Sequence, residues 1–198
     1  MIDIAAFNKN LKNGHIENCY LFCGNDESLM RENIRLLIKR VLKPDFIDLN
    51  YVKFDGNSLE NFDAVINACE TLPFMSDKKV VLVYRASFME EERGYKSKLS
   101  GEFKKIKGYL KNVPQQCILI FYCVFKSKRD KPGRIIYSLD KDICVVKADK
   151  IKGYQLENKV QKFFQIRGKN IRKMDLRIFC NLMEGNNLSV IENEVEKL

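Results

Sequence analysis

Five short apolar runs, separated by longer stretches of helical periodicity, govern what this chain can fold into. They are Cys19-Tyr20-Leu21-Phe22-Cys23, Tyr51-Val52-Lys53-Phe54, Val80-Val81-Leu82-Val83, Ile118-Leu119-Ile120-Phe121 and Ile143-Cys144-Val145-Val146. Runs this short, closed by turn residues such as Gly24 and Asp55-Gly56, read as strands buried on both faces. Between them, Ile34, Ile38, Val41 and Leu42 recur at helical spacing; Asn25 or Asp26 can cap that helix, and Pro44 lies just beyond it. Ser58 can cap a second helix with Leu59, Phe62, Ile66 and Cys69 on its apolar side. A lysine-rich stretch from Glu90 to Lys111 reads as partly helical. Strands alternating with helices predict an α/β domain over residues 1–148, with a parallel five-stranded sheet flanked by helices.

After Val146 the pattern changes. Leu156, Val160, Phe163 and Phe164 make one helical stripe, stopped near Gly168. Leu176, Phe179, Cys180 and Met183 make a second, stopped at Gly185, and Leu188, Ile191, Val195 and Leu198 a third. The spacing predicts a small three-helix domain over residues 149–198, with Phe163, Phe164, Phe179 and Ile191 inward.

Composition narrows the function. No run of about 18 apolar residues occurs, so no membrane span is expected. The seven cysteines, an odd number lying mostly in apolar runs, point to reduced thiols and a cytoplasmic setting. With one histidine, His15, and no C-x-x-C pair, the ligand supply for zinc is poor, and neither metal nor cofactor is expected. The net charge of +9 suits contact with a polyanion, or simply a solvated lysine-rich surface.

Several segments carry a family resemblance. Tyr20-Leu21-Phe22-Cys23-Gly24 resembles the strand that enters an AAA+ phosphate loop. Leu49 to Gly56, Thr71 to Lys79, Tyr109-Leu110-Lys111-Asn112-Val113-Pro114 and the ending Asn187 to Leu198 resemble segments of the bacterial DNA polymerase III delta subunit family, in the same order and spacing. The resemblance implies an AAA+-like domain with a helical lid. It also implies a further collar domain, absent from this chain. Expected partners are the ring-shaped sliding clamp (the beta subunit), other clamp-loader subunits, and DNA within the assembly.

A working phosphate loop needs glycines for backbone approach, a lysine on the terminal phosphates and a hydroxyl on magnesium. When Gly24 is aligned with the loop's first glycine, Met30 takes the lysine position and Arg31 the hydroxyl position. Asp26 and Glu27 put negative charge at the helix N-terminus, where a phosphate would sit. The third strand ends in Tyr84-Arg85 rather than paired carboxylates, and Ser189 stands where active relatives often carry a nucleotide-sensing arginine. No G-K-S or G-K-T occurs anywhere. The expectation is a degenerate nucleotide site and a binding protein rather than an enzyme. The rivals are an ATP-hydrolysing clamp-loader subunit and a stand-alone basic DNA-binding protein.

In the family, apolar residues just after one helix enter a pocket on the clamp and favour an opened ring. The matching positions are Leu72, Pro73, Phe74 and Met75, ahead of the polar Ser76-Asp77-Lys78-Lys79. Pro73 stands where family members carry a bulky aliphatic. The alternative is that Leu72 and Phe74 cap the domain's own core. Lys126, Lys128, Arg129, Lys131 and Arg134 form a basic cluster that can face DNA or a neighbouring subunit, or be a solvated loop.

Overall fold

The computed structural model describes residues 1–89, 103–125 and 132–198. Strands β1 (Ile2–Asp3), β2 (Cys19–Gly24), β3 (Tyr51–Asp55), β4 (Lys79–Tyr84), β5 (Cys117–Val124) and β6 (Cys144–Lys147) form one sheet in the order β1-β6-β2-β5-β4-β3. All pairings are parallel. Strand β2 is central, with Cys19 opposite Leu119 of β5 and Tyr20 opposite Cys144 of β6. Parallel strands must be joined by crossovers, which place helices on both faces. That is why β2, β4 and β5 read as unbroken apolar runs.

The two-residue period of a strand sorts these side chains between two cores. Tyr20, Phe22, Val80, Leu82, Ile118 and Ile120 face one of them. Leu21, Cys23, Val81, Val83, Leu119 and Phe121 face the other. On the first side lie α1 (Ile4–Lys12), α2 (Glu27–Val41) and the short α3 (Ile47–Asn50), with Phe7, Met30, Ile34 and Leu37 buried. On the second lie α4 (Asp63–Glu70), α5 (Phe103–Leu110) and α6 (Arg134–Leu139), with Val65, Cys69, Ile106, Ile136 and Leu139 buried. Each fully buried aliphatic or aromatic side chain contributes about 1.5–3 kcal/mol.

The structure differs from the sequence reading in two places. The sheet has six strands, not five, because Ile2–Asp3 pairs with Val146 and Lys147 at the sheet edge. Two residues are too few for any periodicity, and Asp3 also caps α1 by accepting from the Ala6 N–H at 2.8 Å. Ser58 does not cap a helix; its hydroxyl donates to the Asp55 carbonyl in a turn. Helix α4 begins only at Asp63, whose N–H is accepted by Asn61 Oδ1.

The last fifty residues form α7 (Gly153–Ile166), α8 (Lys173–Met183) and α9 (Leu188–Lys197). Phe163, Phe164 and Ile191 are buried, and the half-buried Phe179 meets Phe164 edge-on at 6.2 Å. Gly168 ends α7 with φ +69°, a conformation that costs a glycine little. The apolar faces of these helices join the same core as Phe7, Tyr20 and Met30. No described helix is long and apolar enough to cross a membrane.

Candidate functional site

At the exit of β2 the backbone turns sharply around Gly24, whose φ is +150°. A Cβ built there would lie 2.3 Å from the Ala148 carbonyl oxygen, so only glycine fits. The segment leaving β6 fills the turn. The Ala148 N–H donates to the Cys23 carbonyl at 2.8 Å, and the Lys150 N–H donates to Asn25 Oδ1 at 3.0 Å.

Asp26 is 1% exposed and joins two helix N-termini. Its Oδ1 accepts from the Leu29 N–H at 3.1 Å, at the start of α2. Its Oδ2 accepts from the Leu188 N–H, also at 3.1 Å, at the start of α9. The first N–H groups of a helix lack intrahelical partners and favour an anion. Here one carboxylate serves both ends.

Around this turn the structure gathers most of the residues that the phosphate-loop comparison singled out. Met30 is fully buried and Arg31 exposed. The Ser28 hydroxyl donates to Ser189 Oγ at 2.9 Å, which brings the start of α9 against the start of α2. Tyr84 stacks on Tyr122 at 6.4 Å, and the Tyr122 hydroxyl donates to Glu27 at 3.1 Å. Burial and the Glu27 carboxylate both push the Tyr122 hydroxyl pKa up, so it remains a donor. Arg85 lies 5.0 Å over the Tyr84 ring, pairs with Asp55, and holds a left-handed φ of +53°. An open groove of about 1030 Å³ runs past Arg31, Arg35, Lys53, Tyr84 and Arg85.

The apolar turn lies at another corner. The Thr71 hydroxyl donates to the Asn67 carbonyl at 2.7 Å where α4 ends. Beyond it Leu72 is 76%, Phe74 55% and Met75 68% exposed, with Pro73 half-buried between them. Neither Leu72 nor Phe74 belongs to either core. The turn is nevertheless fixed. Asn50, only 1% exposed at the end of α3, accepts from the Phe74 N–H at 2.7 Å and donates to the Phe74 carbonyl at 2.9 Å. Met75 follows with a left-handed φ of +48°, a strained state for a residue with a side chain.

Of the basic cluster, Lys126, Lys128, Arg129 and Lys131 lie outside the described residues; Arg134 opens α6 and is exposed. Sequence reasoning missed Asn50, and it missed the second half of Asp26's role. It also passed over an exposed row on α8, Met174, Ile178 and Leu182, spaced four residues apart opposite the buried Leu176 and Cys180. No disulfide joins the seven cysteines, and all but the half-buried Cys144 are buried. Burial pushes the Cys23 thiol up to about 12 and Cys180 up to about 11, which keeps both protonated. Among the described residues no cluster of His, Cys, Asp and Glu is placed to hold a metal.

A family model described as DNA polymerase III, delta subunit, matches residues 20–149. The curated DNA polymerase III subunit delta of Bacillus subtilis is 22% identical over 190 residues, covering 96% of this chain and 54% of that protein. Among solved structures, the Bacillus subtilis DNA clamp loader delta protein superposes with a TM-score of 0.71 at 18% identity, over 98% of this chain and 56% of that one. A DNA polymerase III gamma-subunit-related protein from Thermotoga maritima gives a TM-score of 0.58 at 12% identity, over 96% and 57%. At such identities the structural likenesses speak to the fold. The chain spans about half the length of these relatives. The match over residues 20–149 takes in the strand β2, the closed turn after it and the apolar turn after α4, and on that match the chain belongs to the DNA polymerase III delta subunit family.

Proposed function

We propose that this chain is a non-catalytic clamp-loader subunit that binds the sliding clamp and favours its opening for loading onto DNA. In this reading residues 1–148 grip the clamp and residues 149–198 form the lid. The observation that carries it is the turn Leu72–Met75, where large apolar side chains stand in solvent on a fixed backbone. An apolar anchor that is already ordered loses little entropy on entering a pocket. To shift a ring between closed and open states, the chain must bind the opened form more tightly; equal affinity for both would shift nothing. Capture of the cognate clamp by the purified chain, lost when Leu72 and Phe74 are both replaced by alanine, is the direct test. Equal capture by both proteins would remove the turn from the mechanism.

Nucleotide chemistry then belongs to sister subunits in the assembly. Support comes from Asp26, which supplies the negative charge at both helix ends, and from Met30 and Arg85 in place of a lysine and a carboxylate. No saturable heat is expected when magnesium-ATP is titrated to millimolar concentration. A saturable isotherm would favour the ATPase alternative.

The net charge and the Lys126–Arg134 cluster support weak DNA binding that falls steeply with salt and ignores sequence. Neutralising Lys128, Arg129 and Lys131 together should lower retention on DNA at low salt. Unchanged retention would leave that cluster as solvated surface.

A further inference from the structure

We infer that Asn50 is the positioning residue of the clamp-binding turn, pre-setting the backbone that presents Phe74. The inference rests on the clamp-binding reading of Leu72–Met75. Its basis is the way the turn is attached. At one end the chain leaves α4 with Thr71 bonded back to Asn67. At the other end it enters β4, where Val80 lies opposite Tyr51 of β3. Between these anchors the Phe74 backbone would otherwise have only solvent. Instead, the buried side chain of Asn50, the residue just before β3, offers it a complete peptide-like partner. Its carbonyl oxygen accepts from the Phe74 N–H and its amide donates to the Phe74 carbonyl; the same amide also donates to the Phe46 carbonyl at 3.0 Å. Both polar groups of one residue are thereby held by one side chain, 24 residues away in the sequence.

A side-chain amide is the group this task requires. An aspartate lacks the donors, and a leucine of similar size lacks both functions. The bonds are to the backbone, so they leave the Phe74 ring free for a partner. They also explain how Met75 can be kept at φ +48° directly after the staple, since strain of this kind persists only where neighbouring structure over-determines it. Without Asn50 the turn must be ordered at each binding event. Fixing the backbone of even one residue is worth about a tenfold change in a binding constant.

The test is a double-mutant cycle on clamp affinity, with amide exchange as a second readout. Asn50→Ala should weaken clamp binding roughly tenfold when Phe74 is present and hardly at all in a Phe74→Ala background, because a positioning residue acts through the ring it positions. Equal losses in the two backgrounds would mean a general effect on the fold and would overturn the inference. So would unchanged affinity in Asn50→Ala alongside a clear loss in Phe74→Ala, which leaves the clamp reading standing. If Phe74→Ala itself binds normally, the clamp reading falls and this inference with it. Should Asn50→Ala fail to fold, the unaltered chain still decides. Its Phe74 amide must exchange far more slowly than in an unstructured peptide, and exchange at the peptide rate would overturn the inference.

Discussion

Phe74→Ala is expected to weaken binding to the cognate sliding clamp by roughly 30-fold or more while leaving the fold intact. Burial of a phenylalanine side chain in a partner's pocket is worth about 1.5–3 kcal/mol, and truncating a central anchor often costs about 2 kcal/mol or more. At about 1.4 kcal/mol per factor of ten, that sets the size of the change. In the free chain the ring is more than half exposed and lies outside both cores, so the variant loses little when unbound. Its melting temperature should move by about 2 °C or less, the usual scale for a surface substitution. Leu72→Ala should act in the same direction with a smaller effect. Surface plasmon resonance with immobilised clamp measures the first quantity and a thermal scan the second. Normal affinity with a normal melt would remove the turn as the binding site. A deep drop in melting temperature would instead assign Phe74 to the core and contradict its exposure.

The second large effect is on stability. Asp26→Ala should destabilise the chain by about 3 kcal/mol. A lost N-cap costs about 1 kcal/mol, and hydrogen bonds to a charged group contribute about 1.5–3 kcal/mol each. Here one truncation removes both caps and leaves the Leu29 and Leu188 N–H groups without their acceptor. For a chain of this size, about 3 kcal/mol corresponds to a fall in melting temperature of about 6–12 °C. Asp26→Asn keeps one acceptor oxygen and turns a donor toward the other N–H, so it should lie between. Glu27→Ala, one residue on, removes only the acceptor for the Tyr122 hydroxyl and should cost less than Asp26→Ala. Equal melts for Asp26→Ala and Glu27→Ala would show that the shared carboxylate has no special place in the fold.

The parts of this structure that were legible in the sequence are those that repeat. Strands β2, β4 and β5 are buried on both faces and are therefore apolar along almost their whole length, Lys79 at the start of β4 excepted, and the stripes of α7, α8 and α9 recur over several turns. Strand β1 has no period to read, and its pairing with β6 depends on residues more than 140 positions away. Ser58 had the right chemistry for a cap, yet the chain used it to close the turn after Asp55, and propensity alone does not choose between local uses of a hydroxyl. The exposure of Phe74 was inferred from its polar flanks. What fixes it, Asn50, carries no signal, because an asparagine that bonds to a distant backbone looks the same in sequence as one that closes a turn.

Strand order also has a consequence for how this protein is made. Cys19 must wait for Leu119, and Tyr20 for Cys144, before the central strand has either neighbour. Among the described strands, β3 with β4 and β4 with β5 are the pairs adjacent in both sequence and sheet. At a bacterial synthesis rate of roughly 5–20 residues per second, the apolar segment Cys19–Gly24 emerges from the ribosome roughly 5–20 seconds before anything can pair with it. During that interval it is an unpaired, sticky edge on a nascent chain, the kind of segment that chaperones hold. Truncations that stop short of residue 147 leave that edge open for good, and they should yield aggregates where the longer chain yields folded protein.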